Sequence, residues 1–501
     1  MNPAGDIREP APPCRLDARG VVLLLLLTGV YLAVMFYFPF PPVVRYLLLG
    51  GVGFFALFFV RPEPRFWLPL MPLVFMLGGT AISIGEFNPS LATLVMFGFS
   101  VIFLLDRLAG NGPVLVLPRS FHLVTLGLVF QIGSVFVSIH RLGQYPWNAV
   151  REGAGLYLFL PMAIIIPAVC RNGRCLKRLL RSMVLALLVA SLIGVIQYLT
   201  KTGFSREDAG LGYIYKGRIA SVFGNGNIFA GYLELTLPIT LSMLLCEKSF
   251  LWRLISSAAL LLGILSVLYT FSRAGLLCMA MGLGLTMLYV FRTKPWIPIL
   301  VCAAAILLLF MYADTFERQM SFFQDPHKQI TQPTILHRYV SYRGFINQIE
   351  KSYPAGVGWG AREYFWGGSR LYSFWEVRHT VSHRTIRDFG GLNSLFFNQA
   401  VKGGLLGILS LLALFAGLAS AFTEAFVVTR ERVLAVAVAA GILSLSVHQV
   451  VDCLLKYPTV NSMFWMSVGI LFALAKRKDI RLREKPGIQL PPRESPDLTT
   501  P

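Results

Sequence analysis

Apolar blocks of about 20 residues recur along almost the whole chain, and no other feature limits its fold so severely. A helix rising 1.5 Å per residue needs about 20 apolar residues to cross roughly 30 Å of hydrocarbon, and inside lipid every backbone polar group must find its partner within the protein. The blocks therefore predict membrane-spanning helices, whereas a barrel would call for short alternating segments. They fall at 21–38, 43–60, 66–84, 88–105, 121–139, 152–170, 182–199, 227–245, 254–271, 273–291, 296–312, 393–416, 433–454 and 458–475, about fourteen spans. Pro69 and Pro72 disturb the start of the third. Residues 1–19, with Pro3, Pro10, Pro12 and Pro13, read as a polar tail, and the block at 21–38 has no small-residue cleavage site at its end, so it reads as a retained helix.

Composition and charge fit an all-α polytopic membrane protein. Hydrophobic residues make up 55% of the 501 and charged ones 14%, against about 25% charged in soluble domains; mean hydropathy is +0.64. The formal charge of +20 would suggest nucleic acid in a soluble chain. Here the basic residues sit in short clusters at block ends: Arg61 and Arg65; Arg107 and Arg119; Arg171, Arg174, Lys177, Arg178 and Arg181; Lys248 and Arg253; Arg292 and Lys294; Arg430 and Arg432; Lys476, Arg477 and Lys478. With a cytoplasmic N-terminus all of these fall on the inner side, as the positive-inside rule requires, and an odd number of spans would lose that agreement. The loop at 200–226, the break at Ser272-Arg273 and the loop at 313–392 then face outward. This threading divides the chain into a tail (1–20), an N-terminal bundle (21–199), an outer loop (200–226), a central bundle (227–312), a long outer loop (313–392), C-terminal helices (393–475) and a second cytoplasmic tail (476–501). Of the seven cysteines none lies in the long loop and none forms a Cys-x-x-Cys pair, so neither zinc nor a redox motif is expected.

The outer polar segments are where such a chain meets water. The first runs Lys216-Gly217-Arg218-Ile219-Ala220-Ser221-Val222-Phe223-Gly224-Asn225-Gly226-Asn227 into a block beginning Ile228-Phe229-Ala230-Gly231. Its glycines allow tight turns, Asn225 and Asn227 suit a helix cap, and amides at a helix start favour an anion. Arg218 adds a planar, permanently charged fork suited to phosphate oxygens. A capped turn with Arg218 at the lipid headgroups explains the same residues, and on chemistry alone the two readings stand level. Arg273, at a break with almost no room for a loop, either satisfies carbonyls or snorkels, or lines the same cavity more deeply. His448 and Asp452 fall four residues apart in the thirteenth block, where ionisable groups serve packing or function.

A loop as long as 313–392 with no hydrophobic stripe is rarely a mere connection. It holds Arg338, Arg343, Arg378, Arg384 and Arg387, His327, His337, His379 and His383, and the aromatics Trp359, Tyr364, Phe365, Trp366, Tyr372, Phe374 and Trp375. A helix over 336–350 would align Tyr339, Arg343 and Asn347 on one face. The stretch Tyr353-Pro354-Ala355-Gly356-Val357-Gly358-Trp359-Gly360 is too rich in glycine for a helix, lacks the GxxxxGK[ST] spacing of an ATP-binding loop, and reads as the wall of a cavity. Aromatic faces there suit sugar rings as well as a membrane interface or a small loop core.

The block from Arg218 to Ala230, then Ser272-Arg273, then Pro354-Ala355-Gly356-Val357-Gly358-Trp359-Gly360, then Asn393-Ser394-Leu395-Phe396 with Gly403-Gly404-Leu405-Leu406-Gly407 resembles, in order and topology, the bacterial O-antigen ligase and O-antigen polymerase superfamily. The resemblance spans about residues 215 to 416. It implies a GT-C-like, inverting, metal-independent glycosyltransferase without cofactor in the bacterial inner membrane, working on the periplasmic face. The donor would be an undecaprenyl-pyrophosphate-linked glycan and the acceptor a glycan or lipid A-core hydroxyl, with membrane lipids and a chain-length regulator as further partners and no nucleic acid. Carried over by position, Arg218 and Arg343 would bind the pyrophosphate and stabilise the leaving group, with Arg338 behind Arg343. Arg273, Asn225, Asn227, Trp359 and Asn393 would complete the substrate site. Ligases of this kind carry a histidine just before the asparagine that opens the span after the long loop; here that place is Leu392, so His383 or His379, or a carboxylate such as Glu363, Glu376 or Asp388, is the expected base. The missing imidazole tips the expectation toward a polymerase, with a ligase as runner-up. A transporter of lipid-linked sugars would call for charges paired along a transmembrane path and an inverted repeat, neither of which is evident.

Overall fold

The computed structural model describes residues 64–77, 90–108, 117–143, 146–170, 173–201, 218–292, 342, 346, 349–360, 394–429 and 431–483. The expected spans at 21–38, 43–60 and 296–312 lie outside them, as do most of both long outer loops. The described helices are α1 (Pro64–Leu77, interrupted by a 3-10 turn at Leu68–Leu70), α2 (Leu91–Leu108), α3 (Phe121–His140), α4 (Pro146–Gly153), α5 (Leu160–Val169), α6 (Gly173–Thr200), α7 (Gly226–Cys246), α8 (Phe250–Thr270), α9 (Arg273–Val290), α10 (Leu395–Val428), α11 (Arg432–His448) and α12 (Pro458–Arg483). Among the described residues eight helical segments are long and apolar enough to cross a bilayer, one of them combining α4 and α5 across a 3-10 turn at Ala154–Tyr157. The expected fourteen are not reached among the described residues. Three bounds are also corrected: α6 begins at Gly173, ahead of the block read as 182–199, α10 runs on to Val428 instead of stopping at 416, and α11 stops at His448 instead of 454. Asp452 therefore lies in the turn beyond α11 and not within a span.

α7 and α12 form the centre of the bundle. In their apolar windows 89% and 94% of residues are buried, against 28% in α3, α8 and α9, whose outer faces are left for lipid. α7 packs on α6, α8, α9, α11 and α12, and α12 in turn on α5, α10 and α11. Small residues let these backbones approach, as association without a hydrophobic drive requires. Pro238 inside α7 has no N–H for the Glu234 carbonyl, and α11 comes in at this weak point: a Cβ on Gly441 would lie 3.2 Å from that carbonyl and 3.0 Å from that of Leu235. A Cβ on Gly282 of α9 would meet the Pro238 ring at 3.3 Å, and Ser444 of α11 donates to the Cys278 carbonyl.

α10 is broken at Gly404, whose φ of 60° and ψ of −146° belong to no helix. The break frees backbone groups that lipid could not satisfy, and the glycine-rich stretch of the long loop supplies their partners. The amides of Val357 and Gly358 donate to the carbonyls of Val401 (2.8 Å) and Lys402 (3.1 Å), and the Leu405 amide donates to the Pro354 carbonyl (2.8 Å). Contact is backbone to backbone: a Cβ on Gly356 would sit 2.6 Å from the Gly404 nitrogen. Two of the stretches that carried the resemblance are thus halves of one joint.

Contacts sort the helix ends into two groups. At one, Glu247 after α7 takes Lys177 (2.8 Å) and Arg181 (3.2 Å) from α6, and the Ser120 amide donates to Glu424 (2.9 Å). Burial alone would raise the Glu247 carboxyl, but hydrogen bonds from Lys177 and the Ser249 amide, with the charges of Arg181 and Lys177, outweigh it and hold the pKa down to about 2. Cys170 and Cys175 are buried with their Sγ atoms 3.0 Å apart. At the other end lie Arg218, Thr270, Asn227 and Asp452, and the ion pair of Lys402 with Glu152 (2.6 Å).

Candidate active site

The chain enters α7 through Asn225, extended at φ −146° and ψ 134°, whose Oδ1 accepts from the amides of Asn227 (2.7 Å) and Ile228 (3.4 Å). Capping thus falls to Asn225, and the Asn227 side chain is used otherwise. Its Oδ1 accepts from Arg218 Nη2 at 2.7 Å and its Nδ2 donates to Asp452 Oδ2 at 2.9 Å. A guanidinium can only donate and an ionised carboxylate can only accept, so these neighbours fix which way the amide points. Arg218 Nε donates to the Thr270 carbonyl at 2.7 Å. That carbonyl is available because α8 ends there, at a left-handed Phe271, and last-turn carbonyls have no helical partner. At Gly226 a Cβ would come within 3.1 Å of Arg218 Nη2 and 3.2 Å of the Thr270 oxygen, so any larger residue there would crowd the guanidinium.

From Asp452 the polar chain turns inward. Asp452 Oδ2 lies 3.8 Å from His448 Nε2, as their spacing of four suggests, and His448 Nδ1 lies 2.6 Å from Glu234 Oε1. Side-chain exposure drops from 20% at Asp452 to 0% at both His448 and Glu234. Glu234 follows Asn227 by seven residues, two turns along the same face of α7. Sequence reading had not singled it out, although its signal was present: it is the one acid in the apolar run from Ile228 to Leu245.

The remaining expected site residues fare differently. Arg273 is exposed as the first residue of α9, just past the carbonyl that anchors Arg218, and Ser272 Oγ caps that helix through the Gly275 amide at 3.2 Å. Trp359 is a correction: its ring is 1% exposed, with Nε1 donating to Ser134 Oγ (2.8 Å) and its amide to Ser138 Oγ (3.0 Å), so it anchors the loop against α3 and offers no face to a sugar. Arg338, Arg343, His379, His383 and Asn393, with Leu392, lie outside the described residues. Tyr342, the neighbour of Arg343 in sequence, donates from its hydroxyl to the Val450 carbonyl at 3.2 Å, two residues from Asp452. Among the described residues no three His, Cys, Asp or Glu are placed to hold a metal ion.

Residues 258–412, from within α8 into α10, match the family model described as O-antigen ligase. No curated protein matches the chain.

Proposed function

We propose, from the match of residues 258–412 to the O-antigen ligase model, that the chain is a member of the O-antigen ligase and polymerase superfamily that transfers a glycan from an undecaprenyl-pyrophosphate-linked donor to a hydroxyl acceptor, with Arg218 receiving the pyrophosphate. The observation that carries this reading is the Arg218 guanidinium, set in plane by Thr270 and Asn227 at the mouth of α7. Pyrophosphate needs more than one cationic fork. Tyr342 touching the turn that holds Asp452 supports Arg343 as the second. In the reaction the acceptor oxygen bonds to the anomeric carbon on the face opposite the pyrophosphate, the carbon–oxygen bond to phosphate breaks, and its electron pair leaves with the pyrophosphate. Arginine stabilises that developing charge. The acceptor's proton goes to His383 or His379, or to a loop carboxylate.

The family resemblance supports a bacterial inner-membrane protein of GT-C-like fold, and the basic clusters support an orientation with the Arg218 end toward the periplasm and both termini toward the cytoplasm. The family match favours a ligase, which attaches a finished glycan to lipid A-core or a similar acceptor, over the polymerase first expected from sequence. Leu392 in place of an imidazole remains the feature on the polymerase side. Purified protein given lipid-linked repeat units with and without a core acceptor decides between them. A single acceptor-dependent product identifies a ligase and a ladder from donor alone a polymerase, whereas no glycosyl product in either mixture overturns the reading.

A further inference from the structure

The polar chain that begins at Arg218 continues inward beyond the reach of any substrate. Glu234 and His448 are 0% exposed, and Glu234 lies about 10 Å along α7 from Asn227. Packing does not call for them: a buried ion pair can often be replaced by apolar side chains with no loss of stability, and ionisable groups within a span are expensive. Glu234 Oε2 has no hydrogen-bond partner among the described residues, which adds to the cost.

Building on the donor-site reading above, we propose that Glu234 and His448 are positioning residues for Arg218, acting through Asp452 and Asn227 to hold the guanidinium in the orientation that receives the donor pyrophosphate. Asp452 sits in the turn beyond α11, and its side chain is 20% exposed. His448 holds it from behind at 3.8 Å. A carboxylate only accepts, so with Glu234 and Asp452 both ionised the imidazole between them carries both protons: Nδ1 donates to Glu234 at 2.6 Å, which fixes the ring, and the Nε2 side sets its positive charge 3.8 Å from Asp452. Asp452 then accepts from Asn227 Nδ2, and the amide is left with its oxygen toward Arg218. With Asp452 released, the amide can turn over and set donor against donor at the guanidinium. Glu234 thus fixes, through three intermediate side chains, the plane of a group it never touches.

The test uses full-length protein in detergent and undecaprenyl pyrophosphate without sugar as the probe, with turnover measured in parallel on the lipid-linked glycan. Glu234→Gln keeps the size of the side chain and an oxygen for His448 but removes the charge. It should weaken probe binding about tenfold and lower turnover at saturating donor, and the same change added to Asn227→Ala should have little further effect, because the link is already cut. His448→Gln should behave alike, and serves as the second arm if Glu234→Gln fails to accumulate. A merely structural pair gives the opposite result: losses that follow thermal stability and multiply fully with those of Asn227→Ala. That result, or wild-type binding and turnover in both variants, overturns the proposal. Wild-type protein that does not bind the probe overturns the donor-site reading itself, and this inference with it.

Discussion

Asn227 touches Arg218 with one side-chain atom and Asp452 with the other, so its two neighbours make opposite demands on any replacement. Asn227→Asp would strengthen the pairing with Arg218 but set a second carboxylate against Asp452, tying up the arginine and repelling its support. Transfer by that variant should fall at least about 10²-fold. Arg218→Lys keeps the charge, yet one ammonium cannot reproduce a planar fork bonded to both Thr270 and Asn227. Its turnover should drop well below wild type at saturating donor, with the amount of protein in the membrane unchanged; wild-type rates would return Arg218 to the headgroups. Arg218, Asn225, His448 and Asp452 were legible in the sequence because each has a type and spacing with a definite use. Glu234 was not, since its meaning depends on a histidine from a helix far along the chain, and neither was the Thr270 carbonyl, which belongs to no side chain. Trp359 was misread because an aromatic in a polar loop can be platform or anchor, and only packing distinguishes them.

The broken α10 makes a demand on single glycines that hydropathy does not reveal. Blocks of apolar residues located α3, α7, α8 and α9 to within a few positions, but Gly403-Gly404 was visible only as a motif, because a break within a span depends on backbone partners from elsewhere. Gly404→Ala would force alanine into a glycine-only region with its Cβ against the Pro354 carbonyl. The expected loss is roughly 2–6 kcal/mol from strain and overpacking, read as a lower melting temperature in detergent. Gly155→Ala, whose Cβ would meet nothing within 4 Å, is the control and should change little. At the opposite end of the bundle Glu247 ties α7 to α6 through a carboxyl held down to about 2. A depressed pKa stabilises the fold above the ordinary carboxylate value and ceases to do so as pH falls through the depressed one. The melting temperatures of wild type and Glu247→Gln should therefore differ most at neutral pH and converge between about pH 4.5 and 2; a gap independent of pH would mean that the ion pair contributes nothing.

Over the whole molecule, contacts group the helix ends as the basic clusters do: Glu247 meets Lys177 and Arg181 at one end, and Arg218, Asn227 and Asp452 gather at the other. Which end faces the cytoplasm can be tested with an impermeant thiol reagent on intact cells. Cys175 is buried and would be silent under any topology, whereas Cys246 is exposed at the Glu247 end. As the sole cysteine, Cys246 should stay unlabelled, while single cysteines placed at Gly210 and Gly368 should react; the reverse pattern would invert the protein. The central position of α7 also bears on how the protein is made. Glu234 enters the bilayer more than 200 residues before the ribosome reaches His448, so a nascent chain carries a carboxyl into lipid long before its imidazole exists. A product ended at residue 431 would keep that flaw at its centre. It should be cleared by membrane proteases faster than the full chain in a pulse-chase, and Glu234→Leu should lengthen its life. On that account α11, in bringing His448 to Glu234, should decide how long the helices inserted before it survive.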